Sequence, residues 1–178
     1  GKSIKSKKGE LVCKKPFPSM PLKFWNDKNN KKFEKAYFQR FKNIWHHGDY
    51  AEVKKSGGYI IYGRSDATLN PGGVRLGTAE IYSEVEKFKQ VKESMAVGQS
   101  WDNDIRIILF VILNKGYDLN TDLVKKIKKQ IRINASPRHV PGKIINVTDI
   151  PRTKNGKIVE LAVKNTIEGN KIKNKEAL

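Results

Sequence analysis

Gly63-Arg64-Ser65-Asp66-Ala67-Thr68-Leu69-Asn70-Pro71-Gly72-Gly73-Val74-Arg75-Leu76-Gly77-Thr78-Ala79-Glu80-Ile81 sets two arginines, one aspartate and a glycine pair between a strand and a helix. Its middle is turn chemistry, because proline fixes φ and glycine admits positive φ. Working upstream, Tyr50 to Val53 and Tyr59 to Tyr62 read as two strands, joined by the hairpin turn Lys54-Lys55-Ser56-Gly57-Gly58. Working downstream, Thr78 is the expected cap of a helix with Ile81, Val85 and Phe88 on its apolar side.

The flanks extend this pattern. Residues 1–9 are polar and basic, as expected of a loose end. Glu10 to Lys15 alternates as a strand, and Pro16, Pro18 and Pro21 then force an extended or turning path. Asp27-Lys28-Asn29-Asn30 is a turn cluster, after which Phe33, Ala36, Tyr37, Phe41 and Ile44 approximate a helical face. Beyond the opening stretch, Glu93 to Val97 and Ile105 to Leu113 read as strands. Thr121 is the expected cap of a helix carrying Leu123, Ile127 and Ile131 on one face, which Ser136-Pro137 stops. Lys143 to Val147 is a further strand, and Ile158 to Ile167 a last helix with a fraying polar tail. The fold class is α+β. Two segments are expected: residues 1–65, the trailing part of a larger β-rich domain, and residues 66–178, a compact unit, with Asp66 at the joint.

Composition narrows the function classes. The chain has 178 residues, 38% hydrophobic and 30% charged, which suits a folded core rather than disorder. No apolar run reaches the ~18 residues a membrane helix needs, so no membrane role is expected. The single cysteine, Cys13, cannot form an internal disulfide, which fits a reducing cytoplasm. With one Cys, His46 and His47 adjacent and His139 remote, no zinc or other metal site is expected. The start at Gly1 hints at a fragment or a processed product. The net charge of +18 has two readings: a module that binds nucleic acid through counterion release, or a lysine-rich composition. The lysines are dispersed rather than banked on one element, and no recognised nucleic-acid motif occurs, which favours the second.

Several side chains sit where chemistry could use them. Asp49 follows Gly48 at a strand start, where a carboxylate can accept both hydroxyls of a ribose, although a turn aspartate capping its own backbone has the same signature. Arg64 and Arg75 can each pair two anionic oxygens at once. Lys157 lies in Pro151-Arg152-Thr153-Lys154-Asn155-Gly156-Lys157, a sharp turn immediately before a helix, although most lysines of so basic a chain are solvated surface charges. Arg132 lies where the helix dipole alone would favour a cation.

These motifs together resemble the C-terminal part of an acyl-CoA synthetase, one of the adenylate-forming enzymes. Pro18-Ser19-Met20-Pro21, Phe24-Trp25-Asn26-Asp27, Trp45-His46-His47-Gly48-Asp49 and Ser136-Pro137-Arg138-His139-Val140-Pro141 resemble the acetoacetate-activating branch of that family, as does Val159-Glu160-Leu161, where many relatives carry basic residues. The resemblance implies a small mobile C-terminal domain preceded by a remnant of the large N-terminal adenylation domain. It implies acetoacetate, ATP, CoA and magnesium as reactants and cofactors. By the same comparison Asp49 binds the nucleotide ribose, Arg64 the same nucleotide and Arg75 its phosphates. Gly73 lines the pantetheine channel of CoA, Arg132 meets the CoA phosphates, Asp66 is the hinge, and Lys157 bridges the substrate carboxylate and the α-phosphate. The family's adenine and acyl pockets lie upstream of these residues, so the chain by itself is expected to be inactive.

Overall fold

A computed structural model describes residues 2–172. The chain divides between Ser65 and Asp66 into two compact units.

The first unit is a three-stranded antiparallel sheet in the order β1 (Lys8–Cys13), β2 (Trp45–Val53), β3 (Tyr59–Arg64). Residues 6–9 are less loose than their composition predicts, because Ser6 N–H bonds Val53 O at 2.8 Å and β1 already begins at Lys8. The helix expected from Phe33 is short: α1 (Lys31–Tyr37) ends before Phe41 and Ile44. Aromatic packing replaces a longer helix. Tyr37 stacks on Trp45 with centroids 3.7 Å apart, while Phe17, Phe33 and Phe38 meet the same indole edge-on. Such pairs add to the area they bury, because ring edges and faces carry opposite partial charge. β2 accordingly starts at Trp45 rather than Tyr50, since the buried indole anchors the first turn of strand. An apolar cavity of about 440 Å³, lined in part by Ile4, Leu11, Val12, Phe41 and Ile44, contains none of the expected site residues.

The second unit has the expected α+β layering. Its sheet runs β4 (Val91–Trp101), β5 (Asp104–Leu113), β6 (Lys143–Asn146), with β4–β5 antiparallel and β5–β6 parallel. The apolar run of β5 is explained by burial on both faces. Ile107, Leu109 and Val111 join one core with Ile81, Val85, Ile127 and Ile131 from α2 (Thr78–Val85) and α3 (Thr121–Asn134). Ile108, Phe110 and Ile112 face the other, with Met95, Val97, Ile150 and, from α4 (Glu160–Ile167), Val163 and Ile167. At roughly 1.5–3 kcal/mol per buried aliphatic side chain, this strand alone binds two helical layers together.

β4 runs on to Trp101, past the expected end at Val97, because Asp102-Asn103 closes a two-residue hairpin with φ of 50° and 58°. Positive φ at both turn residues matches the strand twist, and Asn and Asp tolerate it. Two caps differ by one residue from expectation. Asn120, not Thr121, accepts the Leu123 N–H at 2.9 Å. Gly77 rather than Thr78 is the cap residue of α2, where the Glu80 carboxylate reaches back to the Gly77 N–H at 3.2 Å. The polar tail expected to fray after α4 extends into residues 173–178, which lie outside the described residues. No described helix is long and apolar enough to cross a membrane.

Candidate functional site

In the first unit, strand register brings Asp49 and Arg64 together as cross-strand partners of β2 and β3. The Arg64 guanidinium donates to Asp49 Oδ1 at 3.4 Å and to His47 O at 3.3 Å. His47 Nε2 faces the other carboxylate oxygen, Oδ2, at 3.3 Å, and Trp45 Nε1 donates to His47 Nδ1 at 3.4 Å. With Nδ1 accepting, a neutral ring carries its hydrogen on Nε2 and donates to Asp49. The carboxylate is therefore held from both sides, at 20% side-chain exposure, and still has lone pairs to offer a diol. Gly48 between them has φ of 85°, and a Cβ there would lie 2.8 Å from an Arg64 nitrogen. Sequence reasoning passed over His47 as an orienting residue. The available signal was its two-residue spacing from Asp49, which puts both on one strand face.

The second unit holds the remaining candidates on three loops or ends. The loop after Asp66 is pinned by Leu69 and Leu76, both buried in the core and hydrogen-bonded to each other through N–H and C=O at 3.0 and 2.8 Å. Arg75 Nε donates across this loop to Thr68 Oγ1 at 3.1 Å. The tip is Pro71–Gly73, with φ of 58° at Gly72 and 73° at Gly73. A Cβ on Gly73 would meet nothing within 4 Å, so its bare face is open. Asp66 is exposed at the first position after the division. Arg132 is exposed in the last turn of α3.

The Lys157 loop is ordered by its own backbone. Thr153 N–H bonds Lys157 O at 2.8 Å, Gly156 N–H bonds Thr153 O at 2.7 Å, and Lys157 N–H bonds Thr153 Oγ1 at 3.1 Å. Gly156 supplies the turn with φ of 78°. Arg152 ties the base of the loop, donating to Gly156 O at 2.8 Å and pairing with the Glu93 carboxylate on β4. The Lys157 side chain is exposed, and its ammonium has no hydrogen-bond or ion-pair partner among the described residues. The helix that follows is fastened by Glu160, which accepts from the Tyr82 hydroxyl at 3.2 Å. Burial, and then the Glu160 charge, push the Tyr82 phenol well above its ordinary range, so it stays a neutral donor. Here the sequence feature Val159-Glu160-Leu161 acquires a physical reason: an acid at 160 has a buried hydroxyl to bind.

Among the described residues, no hydrogen bond joins Gly73, Arg132 and Lys157 to one another; each is presented separately. Among the described residues, no group of three or more His, Cys, Asp or Glu could hold a metal ion.

Comparison with known proteins shows what the chain is similar to. The family described as the AMP-binding enzyme C-terminal domain matches residues 80–157. The acetoacetyl-coenzyme A synthetase of Rhizobium meliloti (strain 1021) is 58% identical over 178 residues, covering 100% of this chain and 27% of that protein. The chain is homologous to the C-terminal portion of acetoacetyl-CoA synthetases. The Xenopus tropicalis acetoacetyl-CoA synthetase is 47% identical over 179 residues, covering 99% of this chain and 27% of its own length. The solved acetoacetyl-CoA synthetase from Streptomyces lividans superposes with a TM-score of 0.89 at 40% identity, over 96% of this chain and 25% of that one. The chain thus spans about a quarter of the length of the curated relatives it matches. Nothing in these relationships supports the nucleic-acid-binding reading of the net charge.

Proposed function

We propose that this chain is the C-terminal part of an acid–thiol ligase that activates acetoacetate. In the first step a carboxylate oxygen of acetoacetate attacks the α-phosphorus of ATP, and the bond to pyrophosphate breaks. In the second the CoA sulfur attacks the acyl carbon of the adenylate, the bond to AMP breaks, and the thiol proton is released. Residues 1–65 belong to the large adenylation domain and carry Asp49 and Arg64 for the ribose and nucleotide. Residues 66–178 form the mobile domain, turning about Asp66. Arg75 holds phosphate, Lys157 serves adenylation, and Gly73 and Arg132 serve CoA. Magnesium accompanies the phosphates of ATP. A cytoplasmic location fits the single cysteine.

The observation that supports this reading best is Lys157: a structured loop ending in an exposed ammonium that has no partner among the described residues. A desolvated cation delivered to a site of charge redistribution is an effective form of electrostatic catalysis. A second support is β3, whose Tyr59, Ile60 and Ile61 are exposed apolar residues, as expected where the rest of a domain should cover them. The test is to join this chain to the coding sequence upstream of it and measure acid-dependent ATP–pyrophosphate exchange and acyl-CoA formation. Acetoacetate should be preferred to acetate, Arg132→Ala should weaken chiefly the use of CoA, and the 178-residue chain alone should show no exchange. Exchange by the isolated chain, or no preference for acetoacetate, refutes the proposal.

A further inference from the structure

We propose that Asp104 and Arg138 are positioning residues for thioester formation, holding the Gly72–Gly73 turn through both polar groups of one glycine. The Gly72 N–H donates to Asp104 Oδ1 at 2.8 Å and Oδ2 at 3.0 Å, while Arg138 Nη1 donates to Gly72 O at 3.3 Å. The two side chains come from distant elements. Asp104 opens β5, directly after the Asp102-Asn103 turn. Arg138 sits in the short 3₁₀ turn Pro137–His139 that follows α3.

Each holder is itself braced. The Asp104 carboxyl lies below its ordinary value because the Ile105 and Gly72 N–H groups donate to it and Arg138 lies nearby, so it is an anion at neutral pH. The Arg138 turn is fixed by Ser136 Oγ, which accepts the Arg138 N–H at 3.3 Å and lies 2.8 Å from Nδ1 of the buried His139. His139 Nε2 in turn faces Glu80 Oε2 at 3.4 Å, next to the start of α2.

Two consecutive glycines with positive φ have many alternative conformations, and free peptides of this kind do not stay in one. The clamp removes that freedom at Gly72 and leaves the face of Gly73 empty. A Cβ at Gly72 would sit 2.9 Å from Arg138, whereas one at Gly73 would meet nothing. A turn needed only for chain reversal requires no charged holders from two elements; a bare backbone face kept at a fixed position is what a narrow thiol-bearing arm can slide along. The inference rests on the proposed function for the identity of that arm.

The test uses the protein joined to its adenylation domain, with Asp104→Ala, Asp104→Asn and Arg138→Ala. Charge-assisted hydrogen bonds to backbone predict that Asp104→Ala and Arg138→Ala raise the KM for CoA roughly tenfold. ATP–pyrophosphate exchange should stay within about twofold of wild type, as for substitutions away from the adenylation chemistry. Asp104→Asn, which keeps one acceptor oxygen, should recover part of the loss. Unchanged CoA kinetics in both alanine variants would overturn the inference, and so would a parallel loss of exchange, which marks a purely structural role. Independently, amide exchange at Gly72 in the 178-residue chain should quicken roughly tenfold in Asp104→Ala; an unchanged rate would show that the clamp holds nothing. Absence of acetoacetate-dependent exchange in wild type would instead sink the proposed function and leave the amide measurement standing.

Discussion

Lys157→Ala separates the charge of one ammonium from the architecture that presents it. The side chain is exposed and without a partner among the described residues, and the bonds that shape its loop are made by Arg152, Thr153, Gly156 and the Lys157 backbone. Truncation should therefore shift folding stability by no more than about 0.5 kcal/mol, the usual range for a surface site that holds no structural contact. Removing a positioned donor from developing anionic charge costs about 10²–10³ in rate. Acetoacetate-dependent ATP–pyrophosphate exchange in the joined protein should fall by that factor, while thioester formation from supplied acetoacetyl-adenylate should stay near wild type. Lys157→Arg should recover only part, since a planar guanidinium does not reproduce a compact ammonium. The reasoning fails if both half-reactions fall equally, or if thermal unfolding shows the variant to be destabilised by several kcal/mol.

Gly48→Ala should raise the KM for ATP several-fold in the joined protein with little effect on CoA use, because a methyl at φ of 85° strains the strand and pushes on the Arg64 guanidinium; an unchanged ATP dependence would remove Arg64 from the nucleotide site. Glu84 offers a pH test on stability. Burial pushes its carboxyl up, but hydrogen bonds from Lys87, Gln130 and Asn134, together with the Lys87 charge, outweigh this and hold it below the ordinary value of 4.5. A lowered folded value means the stabilisation is fully present above about pH 4.5 and is lost as pH falls through the folded value. The Tm difference between wild type and Glu84→Gln should therefore narrow as pH drops below that range; a difference constant down to strong acid would contradict the assignment.

Much of the second unit was legible because its signals are periodic. Leu123, Ile127 and Ile131 recur at helical spacing, and all three are buried. The uninterrupted run from Ile105 to Leu113 is what a strand covered on both faces requires. Caps were less legible, since Asn120 and Thr121 are both good capping residues and only backbone geometry decides between them. The Asp102-Asn103 turn carries a weaker local signal, since Asn and Asp tolerate positive φ but the pair lacks the glycine that marks most two-residue hairpins. In the first unit the helical face drawn through Phe41 and Ile44 failed because the aromatic residues gather around Trp45 rather than along one helix. Of the candidate site, the pairing of Asp49 with Arg64 needed strand register, and the clamp on Gly72 needed contacts between residues far apart in sequence. Neither has a local signature.

The loop that carries Lys157 is fastened at its base, through Arg152 and the Thr153 turn, and unfastened at its tip. The backbone beneath this cation has little slack of its own; beyond the reach of one flexible lysine side chain, where the ammonium arrives is decided by the body it is attached to. One inserted residue lengthens a chain by up to about 3.5 Å, more than the span of a hydrogen bond. Spacing between Arg152 and Lys157 should therefore matter more to adenylation than the identity of the exposed Lys154 or Asn155.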